Sequence, residues 1–123
     1  ARAQYYLGGL YFLGQGVELN YEQAIKWTKK AAEQDNIDAQ FNLGLAYEQG
    51  LGTKIDLNKA AKWYTKAAIQ GEVDAQFTLG VMYYQGNGVR QDHQEAIKWL
   101  KMAAKQGDTE AQQMLSKLKD KRE

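Results

Sequence analysis

Two stretches of the chain end in paired glycines, a pattern that could cradle a phosphate group. Residues 38–52 have the sequence DAQFNLGLAYEQGLG, and residues 74–88 have the sequence DAQFTLGVMYYQGNG. A lone G-x-G pair without a preceding strand is a weak signal for a nucleotide site. A catalytic site is usually made once, whereas a motif that recurs at a fixed interval is usually structural. We therefore interpret Gly50 and Gly52 as glycines of a turn between two helices.

The other residues with catalytic or metal-binding chemistry are isolated. His93 is the only histidine, Ser116 is the only serine, and the chain contains no cysteine. Metal sites and general acid–base catalysis both need several side chains that converge on one point. Neighbouring carboxylates such as Asp35 and Asp38 fall between helical segments, where negative charge favours helix N-termini. The sequence thus predicts no catalytic residues, no metal, no cofactor and no enzymatic activity.

Composition limits the classes of partner. The chain has 123 residues, 44% hydrophobic and 25% charged, with a net charge of +1. This length suits one domain with a modest core. A charge near zero gives no strong attraction to nucleic acid, and no apolar segment approaches the ~20 residues that span a bilayer. We expect a protein or peptide partner, with no nucleic acid and no direct membrane insertion. Because the chain starts at Ala1, we also expect a fragment of a longer protein.

The glycine motif belongs to a repeat of 36 residues. Three tryptophans and three glycines that follow a leucine keep this interval: Trp27, Trp63, Trp99, Gly8, Gly44 and Gly80. Full repeats cover 3–38, 39–74 and 75–110, and residues 111–119 form a capping helix with one apolar side. Apolar residues at helical spacing predict two helices per repeat, for example over 39–49 and 57–69. The sequence therefore predicts an all-α solenoid in a single domain.

Individual residues predict helix contacts and helix ends. Gly44 lies inside a predicted helix, where glycine costs about 1 kcal/mol relative to alanine, so its recurrence indicates close approach of a partner helix. We predict that Gly44→Leu unfolds the middle repeat. Asp56 and Asp92 are predicted N-caps, Gly71 and Gly107 predicted helix stops, and Asp35 a poorer stop in the first repeat. A further recurring set is expected to bond backbone groups: Gln4, Gln40, Gln76 and Gln112.

The repeat strings resemble those of a known family. AQYYLGGLYFLGQGV, AQFNLGLAYEQGLGT and AQFTLGVMYYQGNGV, each followed by A-x-K-W and A-A, are similar to Sel-one-like repeats (SLR), relatives of the tetratricopeptide repeat. The resemblance covers nearly the whole chain, although Glu18, Lys54 and Arg90 stand where the family often has proline. It implies a right-handed α/α solenoid of three repeats that acts as an adaptor or scaffold, most often in bacteria.

The resemblance also implies two alternatives. Some relatives are immunity partners that bind and block a specific toxin or enzyme. Some cysteine-rich relatives are linked to cell-wall or β-lactam chemistry, which makes hydrolase activity a remote alternative, although this chain has neither cysteine nor a catalytic set. The compartment stays open, with the cell envelope, periplasm or secretion favoured over the cytoplasm.

Superposing the repeat on the tetratricopeptide pattern predicts a concave face lined by the first helices. The predicted partner-binding residues are Tyr5, Phe12, Phe41, Leu45, Glu48, Phe77, Val81, Tyr84 and Gln85. Such an aromatic, weakly charged groove suits an extended peptide or a helix. The equivalent residues Tyr5, Phe41 and Phe77 could instead pack neighbouring helices. Phe12 and Tyr84 are expected to be exposed, because Glu48 takes their place in the middle repeat.

Two further surfaces are candidates for binding. Lys26, Lys62 and Lys98 are 36 residues apart and form a basic stripe on the outer face. This stripe is interpreted as a solvated face whose lysine stems cover apolar surface, with an acidic partner or phosphate surface as the alternative. The N-terminal repeat leaves an open edge, where an apolar patch could support self-association.

Overall fold

The computed structural model describes residues 21–122, with side chains from residue 24 to residue 118. Regular structure in this part of the chain is entirely helical, and each helix packs on the next. The elements are α1 (Tyr21–Glu33), α2 (Ile37–Gln49), α3 (Leu57–Ile69), α4 (Val73–Gln85), α5 (His93–Lys105) and α6 (Thr109–Arg122). The first helices α2 and α4 alternate with the second helices α3 and α5, and α6 takes the place of another first helix. The predicted all-α solenoid with a C-terminal cap is confirmed.

Polar side chains fix where the helices begin. Asp56 accepts a hydrogen bond at its Oδ1 from the backbone N–H three residues later (3.1 Å), and Asp92 accepts from the N–H groups two and three residues later (3.0 and 3.1 Å). These contacts confirm the predicted caps of the second helices. Asn36 and Glu72 cap the first helices in the same way, at 2.9 and 3.0 Å. Because of these caps, α2 starts two residues before the predicted segment 39–49.

Left-handed backbone ends the second helices. Gly71 and Gly107 have φ values of +98° and +94°, as predicted for helix stops. Asp35 occupies the corresponding position after α1 with φ +66°, so this residue carries a backbone strain that glycine avoids. The first repeat therefore uses the same turn with a less suitable residue, as the sequence predicts.

Glycine within the first helices permits close helix packing. A Cβ atom at Gly44 would lie 2.6 Å from Cδ1 of the Tyr64 ring, and one at Gly80 would lie 2.8 Å from Cγ of Leu100. Each first helix therefore rests directly on its second helix at these points. The predicted close approach is confirmed at both positions, while Gly8 lies outside the described residues.

The core runs continuously through the repeats. Leu43, Tyr64 and Leu79 are fully buried in one cluster that extends from α1 to α5 and includes Trp99. A smaller cluster joins α5 to α6 through Leu100 and the residues packed around it. Since each repeat buries its apolar faces only against its neighbours, the architecture is that of a solenoid.

The recurring glutamines bond backbone carbonyl groups of the preceding second helix. In each case Nε2 donates to the carbonyl oxygen eight residues earlier: Gln40 to Ala32 (3.2 Å), Gln76 to Ala68 (3.1 Å) and Gln112 to Ala104 (3.1 Å). Helix C-termini leave carbonyl groups without intrahelical partners, and these side chains help to satisfy them. The predicted backbone role is confirmed for these three residues, and Gln4 lies outside the described part of the chain.

Candidate functional site

Four of the predicted partner-binding residues line one cavity. Glu48 comes from the end of α2, and Phe77, Val81 and Gln85 come from successive turns of α4. The cavity has a volume of about 180 Å³. Since residues four apart lie on the same side of a helix, α4 presents a single stripe that ends in a polar amide. We refer to this place as the α2–α4 cavity.

The carboxylate of Glu48 is held in a defined position. Tyr64 Oη donates a hydrogen bond of 2.5 Å to Glu48 Oε1. The Tyr64 side chain is fully buried, and burial raises its pKa above the usual tyrosine value, with further contributions from the hydrogen bond and the charge of Glu48. The tyrosine therefore stays protonated and remains a donor at physiological pH. A fixed carboxylate beside apolar lining can accept a hydrogen bond from a partner or pair with a cation.

Two other predicted residues lie in the core. Phe41 and Leu45 of α2 are buried, and the Phe41 ring packs against Tyr64 with a centroid distance of 5.4 Å. Phe41 thus packs a neighbouring helix, the alternative that the sequence left open for this repeat position. Both residues support the helices that form the cavity, and neither offers much accessible area to a partner.

Tyr84 does not line the α2–α4 cavity. Its ring stacks on His93 at the start of α5, with a centroid distance of 4.7 Å and an interplanar angle of 21°. Gln91, in the segment just before α5, donates from Nε2 to the Tyr84 carbonyl oxygen at 2.9 Å and so connects this segment to the end of α4. Tyr84 is partly exposed, and the His93 ring covers one face of its ring. Tyr5 and Phe12 lie outside the described residues.

Sequence reasoning missed several residues of the cavity, among them Leu57, Thr78 and Asn87. Leu57 opens α3, and Asn87 belongs to the turn after α4, so neither lies on a first-helix stripe. The signal that could have found them is the second glycine of the pair. A Cβ atom at Gly88 would overlap the carbonyl oxygen of Leu57, so this glycine brings the turn onto α3.

Lysines and tryptophans occupy the outer helices together. The Nζ atoms of Lys62 and Lys98 lie 5.6 and 5.4 Å from the ring centroids of Trp63 and Trp99. This geometry fits the interpretation that lysine stems cover apolar surface. Lys98 also pairs with Glu95 at 3.8 Å, so part of the basic stripe is neutralised within the chain.

The described residues form neither a metal-ion site nor a helix that could span a membrane. Within the described part of the chain, no three acidic, histidine or cysteine side chains lie close enough to hold a metal ion. Among helices α1 to α6, none has the length and apolar character needed to cross a bilayer.

The comparisons with known proteins agree with this repeat architecture. The sequence pattern described as Sel1 repeat matches residues 1–36, 37–72 and 73–108. The chain belongs to the Sel1 repeat family. The matched segments start two residues before the repeats chosen from the sequence and keep the interval of 36 residues. Sel1 repeats generally serve as protein–protein interaction modules, and their fold is typically non-catalytic. Among curated proteins, none matches the chain.

Three solved structures are similar to this Sel1 repeat chain. A Sel1 repeat protein from Oxalobacter formigenes has a TM-score of 0.82 at 43% identity, covering 89% of this chain and 45% of its own. The protective antigen c5321 of uropathogenic Escherichia coli strains, which displays an SLR fold, has a TM-score of 0.79 at 41% identity, covering 87% and 23%. Helicobacter pylori cysteine rich protein B has a TM-score of 0.76 at 31% identity, covering 87% and 80%. The chain thus spans less than half the length of the first two proteins.

Proposed function

We propose that this Sel1 repeat chain is an adaptor or scaffold module that binds a segment of a partner protein at the α2–α4 cavity. The observation that supports this most is the convergence of Glu48, Phe77, Val81 and Gln85 from two first helices. These residues were predicted from repeat position alone, and packing brings them around one opening. The toxin-inhibitor and hydrolase alternatives gain no support from the comparisons.

The size of the cavity favours a side chain of a protein over a small molecule. Pockets for small ligands usually have volumes of about 300–1,000 Å³, and the α2–α4 cavity has about 180 Å³. An apolar anchor of a peptide would contact Phe77 and Val81. A backbone N–H group or a lysine of the same peptide would then reach Glu48, whose other carboxylate oxygen is not used by Tyr64. Peptide recognition commonly combines apolar side-chain anchors with hydrogen bonds to the peptide backbone.

The test is partner binding by a cavity variant and by a matched surface variant. The double variant Val81→Arg, Gln85→Arg places two bulky cations at the cavity. The control Ile69→Arg changes an apolar residue of α3 that is 69% exposed. Proteins captured from a lysate of the source organism are identified, and the dissociation constant of each is measured for the three forms.

We expect the cavity variant to weaken binding by about tenfold or more, as the loss of a central anchor site does, while the control binds like the unmodified chain. Thermal unfolding followed by circular dichroism verifies that both variants remain folded. Equal affinity for the unmodified chain and the folded cavity variant would contradict the proposal. Glu48→Gln then tests whether the partner contributes a cation, because the amide keeps a hydrogen-bond acceptor and loses the charge.

A further inference from the structure

One asparagine of the chain is directly followed by glycine, the residue that most easily allows the next backbone nitrogen to attack an asparagine side chain. Asn87 precedes Gly88 in the turn after α4. The other asparagines all precede residues with larger side chains: Asn20, Asn36, Asn42 and Asn58. Glycine carries no Cβ atom that could hinder this approach, and asparagine is one of the thermally labile residues of proteins. The local sequence therefore favours spontaneous loss of the Asn87 amide.

The structure leaves both reacting groups of this dipeptide accessible. The Asn87 side chain is exposed, and its Nδ2 donates a surface hydrogen bond to Gln85 Oε1 at 2.9 Å. Within the described part of the chain, no group accepts a hydrogen bond from the Gly88 N–H. Gly88 also lies outside the helices, so its nitrogen is not part of a helical hydrogen-bond series. Rotation of the Asn87 side chain away from Gln85 therefore presents its amide carbon to a backbone nitrogen that has no acceptor.

The other described asparagines are held in ways that oppose the same reaction. Asn36 accepts a helix-capping hydrogen bond at its Oδ1 (2.9 Å). Asn42 is fully buried within α2. The backbone nitrogen of Lys59, which follows Asn58, donates at 3.1 Å to the N-cap side chain of α3. Since these arrangements must break before the backbone can attack, the three asparagines provide slow references within the same chain.

We propose that Asn87 is a site of intramolecular deamidation that adds negative charge to the α2–α4 cavity. The Gly88 nitrogen loses its proton to solvent and bonds to Cγ of Asn87, and the bond from Cγ to Nδ2 breaks. Ammonia leaves, and a succinimide ring remains. Water then opens this ring at Cγ to give aspartate, or at the backbone carbonyl carbon to give isoaspartate. The balance is one water consumed and one ammonia released, without an oxidant or a cofactor.

The new carboxylate belongs to the wall of the α2–α4 cavity, because Asn87 lines it together with Glu48 and Gln85. A carboxyl group of this kind is ionised at pH 7, so either product adds about one negative charge beside the Glu48 carboxylate. Isoaspartate also lengthens the backbone before Gly88, which packs closely on Leu57. The effect on partner binding rests on the proposed function, whereas the chemical conversion does not.

The test follows the intact, folded chain during incubation at neutral and mildly alkaline pH. Mass spectrometry of proteolytic peptides identifies each converted asparagine, and enzymatic methylation detects isoaspartate. Asn36, Asn42 and Asn58 serve as references in the same sample. The variant Asn87→Gln is the matched control, because it keeps an amide whose longer side chain closes the corresponding ring far less readily. A peptide of residues 83–92, YYQGNGVRQD, gives the rate without the fold.

We expect Asn87 to convert before the three reference asparagines, at a rate that rises with pH because the Gly88 nitrogen must lose its proton. Isoelectric focusing should show a form with one additional negative charge, and Asn87→Gln should not produce this form. Conversion of Asn87 no faster than that of the references would overturn the proposal. An intact Asn87 under conditions that convert the peptide, or an acidic form that persists undiminished in Asn87→Gln, would equally overturn it.

A second measurement tests the effect of the added charge on binding. Asn87→Asp carries the aspartate product permanently, whereas Glu48→Gln removes the carboxylate charge already present. For a captured partner whose affinity depends on Glu48, the two variants should shift the dissociation constant in opposite directions, and high salt should reduce both shifts. An unchanged constant for Asn87→Asp with such a partner would contradict the effect of charge. Failure of the proposed function would instead appear as partners that bind the Val81→Arg, Gln85→Arg variant unchanged, and it would not alter the conversion of Asn87.

Discussion

At the scale of single residues, the ring of Tyr64 fills the space that a side chain at Gly44 would need. The Cβ atom of Gly44→Ala would lie 2.6 and 2.7 Å from two ring carbons. We expect a net loss of roughly 1–3 kcal/mol of unfolding free energy from overpacking, although alanine favours the helix by about 1 kcal/mol. Urea unfolding measures the change. The same substitution in a Tyr64→Leu background should cost less, because the ring is gone. Equal losses of unfolding free energy in both backgrounds would show that the Tyr64 ring is not the cause of the destabilisation.

The hydrogen bond from Tyr64 to Glu48 predicts a dependence of stability on alkaline pH. Burial, the bond and the Glu48 charge raise the pKa of Tyr64 in the folded chain, whereas an unfolded tyrosine titrates near pH 10 (roughly). The folded state therefore holds the proton more tightly, so this stabilisation is complete below about pH 10 and declines as pH rises further. Tyr64→Phe should lower the free energy of unfolding at pH 7 by about 1.5–3 kcal/mol, because it removes the hydrogen bond to the charged Glu48 carboxylate.

The measurement is urea unfolding of both forms between pH 7 and pH 11. The unmodified chain should lose stability above pH 10 more steeply than Tyr64→Phe. Tyr83→Phe is the control, since the Tyr83 pKa is also raised by burial and by Glu95 and Asp92, but its side chain is only partly buried. If the unfolding free energies of Tyr64→Phe and the unmodified chain fell equally steeply above pH 10, Tyr64 would not be the cause of the alkaline loss of stability.

Residue identities predicted some contacts and not others, for a physical reason. Gly44 could be predicted to touch a partner helix because glycine inside a helix is unfavourable without such a contact. Tyr84 could be predicted to be at least partly exposed because Glu48 takes its place in the middle repeat. The contact between Glu48 and Tyr64 could not be predicted, since it depends on the rotation of α2 against α3. Repeat position specifies a face of a helix, and packing decides which atoms meet there.

At the scale of the elements, the turns after the second helices differ in one residue. Asp35 adopts φ +66°, in the region where side chains other than glycine cost about 1–2 kcal/mol. We expect Asp35→Gly to stabilise the chain by roughly 0.5–1 kcal/mol, because glycine removes the strain but also raises the entropy of the unfolded chain. Urea unfolding measures this gain.

Gly107→Ala provides the reciprocal experiment. No atom lies within 4 Å of a Cβ at Gly107, and its φ of +94° remains strained for alanine. This variant should therefore lose about 1 kcal/mol from backbone strain alone. A stabilising Gly107→Ala would contradict the assignment of these positions as left-handed helix stops.

Helix boundaries show how far local sequence determines the elements. The predicted segment 57–69 coincides with α3 (Leu57–Ile69). Asp56 caps the start of this helix, and the positive φ of Gly71 turns the chain away after its end. The predicted cap 111–119 is shorter than α6 (Thr109–Arg122). Asp108 accepts a hydrogen bond from the Glu110 N–H at 3.1 Å and so starts this helix earlier. Local capping thus explains boundaries that apolar periodicity alone places within two or three residues.

At the scale of the whole molecule, the α2–α4 cavity is a product of stacking. Its residues come from two repeats and from the turn that follows α4, so no single repeat contains the site. The periodic sequence predicted the contribution of the first helices, because every repeat presents the same face. The periodicity of the first helices alone did not predict Leu57 and Asn87, which belong to α3 and to the turn that Gly88 packs against α3. Solenoids create binding surfaces between repeats, where periodic sequence is least informative.

Three tryptophans at the same repeat position differ in how much of each side chain is exposed. Trp63 and Trp99 are each 6% exposed, whereas Trp27 is 68% exposed. Trp99 is covered by the repeat before it, and no described residue precedes α1 to cover Trp27. The Lys30 Nζ atom lies 5.3 Å from the Trp27 ring centroid, an exposed cation–π contact of about 0.5–1 kcal/mol. Sequence identity at a repeat position therefore does not imply equal burial.

We expect Trp27→Ala to cost less than about 1 kcal/mol, whereas Trp63→Ala and Trp99→Ala should each cost about 3–5 kcal/mol, as buried aromatic residues do. Urea unfolding of the three variants tests the order. Iodide quenching of the unmodified chain gives a second, independent readout, because Trp27→Phe should remove most of the quenchable emission. Equal costs at all three positions would mean that Trp27 is covered in solution. Repeating the measurement at tenfold lower protein concentration would then distinguish cover by a second copy, which dilution removes, from cover within the chain, which it does not.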